Sequence, residues 1–400
     1  MPKAKIDSPV LIACLLLSFL FGSVHGFSVF VEPMERMFGV SRSSVSLTYS
    51  IALMSLTVAV LIGHRIFALI PIRVFAPVVV IAASVGLLLA SVSGSLYGAW
   101  IGYGVVFGFT NGLGYAFALQ LPAQRMPERK GVLMGFVTAA YSVGACLSPW
   151  LLTLGIEHSG VGGGFIALAM VLLLFVPIVW WVLRHTKGRF QNQDETQTSL
   201  PALQSRKLIL LWIGYGTAVA AGLMAIGHAT GIARESGIPT AQLILAPALL
   251  TISGIPGSLL SGWLSDRVSA RKLIAVFPFF SVIALCLLSI AQSSLILPLL
   301  ALVGLLYGAI IVAYPVAISS IFGVNAGVRA YGKVFTAWGT AGLVAPWVAG
   351  LVYDVYGTYQ LALWMAAGLA LVSFFVISAA LFLGALGSSN VNADGGGVSH

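Results

Sequence analysis

The stretch RHTKGRFQNQDETQTSLPALQSRK, residues 184–207, is the only long polar insert in a chain of 400 residues. On both sides of it the sequence runs as a succession of apolar stretches broken by short basic connections. Hydrophobic residues make up 59% of the chain and charged residues 8%, and the mean hydropathy is +1.03. Soluble domains carry about 25% charged residues. So little polar surface cannot cover a water-facing globule, and the expected solvent is a bilayer.

Crossing the hydrocarbon takes roughly 20 helical residues at ~1.5 Å rise each. That length predicts helices near 8–31, 44–63, 74–93, 96–121, 131–155 and 163–185 before the insert. After it, helices are predicted near 207–232, 240–263, 273–291, 295–321, 331–352 and 359–384. The expected class is an all-α integral membrane protein with twelve transmembrane helices in two pseudo-symmetric six-helix halves. The divisions are 1–185 for the first bundle, 186–206 for a cytoplasmic linker, 207–385 for the second bundle and 386–400 for a disordered cytoplasmic tail. The N-terminal MPKAKIDSPVLIACLLLSFLFGSVHG imitates a signal peptide, but its apolar run exceeds the roughly 7–15 residues of a signal h-region, so it reads as a retained first helix.

The net charge of +9 is spread over the connections rather than gathered in a basic block, which argues against nucleic acid as a partner. Seventeen lysines and arginines fall on the connections of one side, and only Arg36, Arg42 and Arg234 on the other. By the positive-inside bias both termini are expected in the cytoplasm, with the chain in the plasma (inner) membrane. Cys14, Cys146 and Cys286 lie inside apolar runs and read as buried thiols with no disulfide or metal spacing.

The halves repeat. GACLSPW, ending at Trp150, matches AGLVAPW, ending at Trp347, at an offset of 197. Tyr103-Gly104 against Tyr307-Gly308 gives 204, and Gly39 against Gly237 gives 198. Parallel repeats of this size mark transporters that bind near mid-membrane between the halves and rock around that site.

GSLLSGWLSDRVSARK, 257–272, closes the eighth helix. It resembles the G-x-x-x-D-R-x-x-x-R-K motif of the major facilitator superfamily, with Gly262, Asp266, Arg267, Arg271 and Lys272 in place. The glycine would allow close helix approach, and the charged groups would form an inner latch. In the first-half counterpart, GHRIFALIPIR, Phe67 stands where the motif has its aspartate, so a weaker latch is expected there. VFVEPMERMFGVSRSSVS (29–46), GLGYAFALQLPAQRMPERKGVLMGF (112–136), AGLMAIGHATGIARESGI (221–238) and APWVAGLVYDVYGTY (345–359) look like the monocarboxylate and oxalate–formate carriers.

That resemblance implies a lysine in the first helix and an aspartate–arginine pair in the eighth, binding carboxylate and proton. Here His25 falls at the lysine position, Gly254 at the aspartate position and Ser258 at the arginine position. The mid-membrane lysine of the oxalate branch is also missing, since Lys333 lies at the inner mouth of helix eleven. A mid-membrane arginine costs at least ~2.5–3.5 kcal/mol, so it is kept only where it works. Its loss implies a substrate that is neutral, weakly held as a monoanion, or bound together with a proton.

His25, in FGSVHGFSVF, and His228, in AIGHATG, sit at similar outer depth in helices that face each other across the cavity of that superfamily. Each is read either as a proton carrier or as a neutral histidine bonded to a nearby carbonyl. Asn111 either lines the cavity or cross-links two helices, and Gly104, Gly108 and Gly112 form a four-residue rhythm that brings helices close. Tyr115, Tyr141, Tyr307, Tyr314 and Trp338 complete the candidate substrate and proton site.

GVRAYGKV, 327–334, nearly spells a phosphate-binding loop, but Val334 replaces the hydroxyl residue that would hold magnesium. With no nucleophile set, metal spacing or dinucleotide fingerprint, neither an enzyme nor a cofactor is expected. The expected partners are the bilayer, a small-molecule substrate and protons, with the chain acting as a monomer. The leading reading is a proton-coupled symporter of small organic acids. The alternatives are a proton-antiport exporter of drugs or neutral metabolites, for which Glu32 and Glu35 are the outer-half acids, and a non-transporting sensor.

Overall fold

The computed structural model describes residues 7–125, 130–190, 202–265, 267–322 and 324–386. Among them, ten helices are long and apolar enough to cross a membrane. One of the ten folds back on itself at Ser159 and Gly160, where Gly160 takes φ 67° and ψ −163°, a backbone region open only to glycine. A further crossing, residues 96–125, is built of Leu96–Ala99, π-helical turns over Trp100–Phe107 and Gly108–Arg125. The twelve crossings are therefore α1 (Ser8–Phe38), α2 (Arg42–Leu69), α3 (Ile72–Val92), α4 (96–125), α5 (130–158) and α6 (161–183). The second half holds α7 (Ala202–Glu235), α8 (Leu245–Ile252 and Gly254–Ser265), α9 (Ala270–Ile290), α10 (Ser293–Phe322), α11 (Val324–Tyr356) and α12 (Gln360–Phe382). The face where α1 starts and α12 ends is called here the terminal face, and the opposite one the far face.

Between the halves α2 packs on α11 and α5 on α8, and α1 meets α7. The first two contacts exchange under the duplication, second helix for eighth and eleventh for fifth. Inside the halves the glycine rhythm does the same. A Cβ on Gly108 would lie 2.6 Å from the Ala52 backbone, and one on Gly308 2.2 Å from the Gly254 carbonyl. Gly104 likewise abuts Thr48 and Ile51, and Gly304 abuts Leu250. The packing thus equates Gly104 with Gly304 and Gly108 with Gly308, an offset of 200. That is one helical turn from the sequence match at 204, because the tyrosine precedes the first glycine of the four-residue rhythm in one half (Tyr103-Gly104) and the second in the other (Tyr307-Gly308).

α1 does not keep α-helical pitch. It tightens to 3₁₀ turns over Gly22–Phe30, the segment that carries His25. At this change of pitch the Phe21 carbonyl accepts from Asn111 Nδ2 at 2.6 Å and the Val24 carbonyl from the Tyr103 hydroxyl at 3.0 Å. Both donors sit on α4. Side chains of a neighbouring helix thus satisfy backbone groups that water cannot reach in a membrane.

At the terminal face, Phe67 replaces the expected charge with packing. Its buried ring meets Phe75, Phe117 and Phe190 at 5.1–5.6 Å. Phe190 belongs to a stretch after α6 that pairs with Pro71 through Arg189 and receives Arg125 on the Lys187 carbonyl. Residues 186–190, expected as the start of a linker, are docked onto the first half. In the second half, Arg267 stacks over Trp263 at 3.9 Å and Arg271 donates to the Leu386 carbonyl, while Lys272 is exposed. Asp266 lies outside the described residues. Gly262 serves no close approach in this state, since a Cβ there would meet nothing within 4 Å.

Candidate functional site

A cavity of about 130 Å³ opens between the halves. From the first half it is lined by His25 on α1, Tyr115 on α4 and Thr138, Tyr141 and Ser142 on α5. From the second half come Thr251, Gly254 and Ser258 on α8, Tyr307 on α10, and Tyr331, Phe335 and Trp338 on α11. Among the described residues no charged side chain lines it. Gly254 and Ser258, the positions at which the resemblance implies charges, are both on its wall.

His25 shares a 2.6 Å hydrogen bond with Tyr49 through Nδ1 and sets its ring edge-on to Tyr141, with centroids 5.6 Å apart. Tyr49 is fully buried and stacks on Phe27, so Nδ1 is fixed by the core. Among the described residues Nε2 has no protein hydrogen bond, and the ring faces the cavity. Trp338 Nε1 donates to the Tyr307 hydroxyl at 2.8 Å, tying α11 to α10.

Three candidates stand elsewhere. Asn111 is fully buried behind α1, where its amide holds the Phe21 carbonyl. Tyr314 is buried in the second half against Tyr215, with ring centroids 4.6 Å apart. His228 is buried nearer the far face: Nε2–H donates to the Pro346 carbonyl at 2.8 Å, which fixes the tautomer. Its Nδ1 therefore accepts from the Tyr359 hydroxyl at 3.0 Å. Both ring nitrogens are satisfied by protein.

Asn111→Leu is expected to cost about 1 kcal/mol, the scale of a hydrogen bond between membrane helices. Its substrate KM should match that of the parent chain. Thermal unfolding in detergent and uptake kinetics check this pair of outcomes, and a tenfold change in KM would place Asn111 at the substrate.

His228 belongs to a seal that closes the cavity from the far face. Arg42 grips Glu35 with two contacts, at 2.7 and 2.5 Å, donates to the Tyr359 hydroxyl at 2.9 Å and lies 3.8 Å over the Tyr353 ring. The Asp354 carboxylate accepts from the backbone N–H groups of Arg42 and Ser43, capping the start of α2 from the other half. Glu32 pairs with Arg36 in its own half and with Arg234 on α7, and Ser28 meets Thr230 at 3.0 Å. Outside this seal is a vestibule of about 950 Å³ at the far face.

Two six-helix halves, a cavity lined by both of them and closure on one side of it define a secondary-transporter fold. The chain belongs to the Major Facilitator Superfamily, whose family model matches residues 11–228 and again 211–396. It is similar to an uncharacterized MFS-type transporter of Escherichia coli, YhjX, with 23% identity over 337 residues, covering 82% of this chain and 84% of that one. The oxalate:formate antiporter of Oxalobacter formigenes is 20% identical over 389 residues, 94% of this chain and 90% of its own length. Monocarboxylate transporter 12 of Mus musculus is 24% identical over 340 residues, 76% of this chain and 69% of its own. Among solved structures, a D-xylose–proton symporter superposes with a TM-score of 0.72 at 15% identity, covering 93% of this chain and 97% of the other. At that identity the likeness speaks for the fold alone.

The cavity residues that sequence reasoning missed include Thr138, Ser142, Thr251, Tyr331 and Phe335. For Tyr331 and Phe335 a signal existed: with Trp338 they are spaced i, i+4, i+7, one face of a helix.

Proposed function

We propose that this protein is a proton-coupled symporter of small organic monocarboxylates, working by alternating access as a monomer in the plasma (inner) membrane with both termini cytoplasmic. The observation that carries the reading is the cavity between the halves, which offers, among the described residues, one imidazole, His25, and no charged side chain. Imidazole exchanges a proton near neutrality, so the proton and the carboxylate can share one site that is uncharged when empty. The similarity to the oxalate:formate antiporter and to monocarboxylate transporter 12 supports organic acids as the substrate class. The missing cation argues against dianions.

Coupling follows from magnitude. A monoanion entering alone moves against about 2.3 kcal/mol per 100 mV of inside-negative potential. A co-transported proton removes that term, and each pH unit then drives import by about 1.4 kcal/mol. An exporter by proton antiport is the weaker reading, because Glu32 and Glu35 are held in ion pairs with Arg36, Arg234 and Arg42.

The test is uptake of labelled small monocarboxylates into proteoliposomes with and without an acid-outside gradient. Acid outside is expected to accelerate uptake, and His25→Ala to abolish that acceleration. An unchanged pH dependence in the variant would remove His25 from the role.

A further inference from the structure

The cavity has two aromatic walls, one from each half. On the first-half side Tyr115 and Tyr141 pack with ring centroids 4.8 Å apart. On the second-half side Trp338 and Phe335 lie parallel within 5°, centroids 5.6 Å apart, with Tyr331 beyond Phe335 at 5.8 Å. All five rings line the same space. A short aliphatic acid has no use for such walls, whereas a planar ring can meet one from each side. The hydrogen bond between Trp338 and Tyr307 holds the indole in one orientation, so the wall is preset before anything binds.

Size narrows the class. A volume of about 130 Å³ compares with the roughly 150 Å³ of apolar cavities that take one benzene ring. Polarity orients the guest, since His25, the one imidazole among the described lining residues, stands at the edge of Tyr141 with Nε2 toward the space. Resting on the proton-coupled acid reading, we infer that the substrates are single-ring aryl monocarboxylic acids. The ring lies between the walls of the two halves, and the carboxyl is hydrogen-bonded to His25. Because the walls belong to different halves, the ring is gripped only when the halves approach. Selection and closure then use the same contacts.

The experiment is isothermal titration of the detergent-purified full chain with 4-hydroxybenzoate and with lactate, at pH 5.5. 4-Hydroxybenzoate is expected to bind roughly tenfold or more tightly than lactate, the scale of ring contacts on two faces. Trp338→Leu should bring the two affinities within about threefold by weakening the aryl acid alone, and Tyr141→Leu serves as the second variant should the first fail to fold. Lactate binding as tightly as 4-hydroxybenzoate would overturn the inference and leave the small-acid reading standing. A preference that survives both substitutions would overturn the assignment of the walls. Binding of neither acid would overturn both the inference and the reading on which it rests.

Discussion

Arg42→Ala is expected to open the far face. The guanidinium is 11% exposed and its partner Glu35 18%, so the pair is mostly buried, with Arg42 reaching the edge of the vestibule. Truncating one member of such a pair costs about 3–5 kcal/mol, because the other charge is left without compensation. Glu35 is in the same half as Arg42, so most of that cost falls on both conformations. What biases closure are the contacts Arg42 makes to the second half, the Tyr359 hydroxyl at 2.9 Å and the Tyr353 face at 3.8 Å. A desolvated cation–π contact contributes about 2 kcal/mol. That alone is a roughly thirtyfold shift in the population open to the far face. The Tyr359 hydroxyl also donates to His228, so its loss of a donor propagates to α7.

The shift is measurable with a cysteine at Ser142 in the cavity, on a background lacking Cys14, Cys146 and Cys286. A membrane-impermeant maleimide added at the far face should label it roughly thirtyfold faster in Arg42→Ala. Arg42→Lys keeps the charge but not the two-pronged grip or the planar stacking, and should fall between. Equal labelling in parent and alanine variant would mean that the seal lies elsewhere.

The bilayer made much of this legible in advance. Its thickness fixes helix length, so six crossings on each side of residues 184–207 could be counted, and the turn at Ser159–Gly160 falls in the gap between two predicted spans. The cavity was legible where a residue breaks the apolar pattern, as His25 does. His228 breaks it equally, yet its partners are a carbonyl on α11 and a hydroxyl beyond it, 118 and 131 residues away. Nothing local distinguishes a histidine that lines a cavity from one satisfied across a helix interface. Asn111 has the same ambiguity, and its partner 90 residues earlier resolves it. In the sequence Arg42 counts only as charge on a connection, and Asp354 only as part of the resembling stretch 345–359. Their joint role depends on α2 and α11 lying side by side and antiparallel, so that the start of one meets the end of the other, which no spacing within either helix encodes.

The second large effect is on the integrity of the first half. Gly144 on α5 faces α1 so closely that a Cβ would stand 1.7 Å from the Phe19 carbonyl oxygen, and one on Gly22 would stand 1.9 Å from the Tyr141 carbonyl oxygen. The opposing atoms are backbone and cannot turn aside as a side chain would. Overfilling a core costs about 1–3 kcal/mol when side chains absorb the strain, and here the helices themselves must part. Gly144→Val is expected to lower the unfolding midpoint in detergent by on the order of 5 °C or more. It should also abolish uptake, since Tyr141 precedes Gly144 by one turn and His25 follows Gly22 on α1. Gly135→Val is the matched control on the same helix, where a Cβ would meet nothing within 4 Å. Valine is the better helix former, so that variant should be neutral or slightly stabilising. The contrast isolates contact from propensity. If Gly144→Val is as stable and active as Gly135→Val, then α1 and α5 do not touch backbone to backbone, and His25 would not stand at the edge of Tyr141.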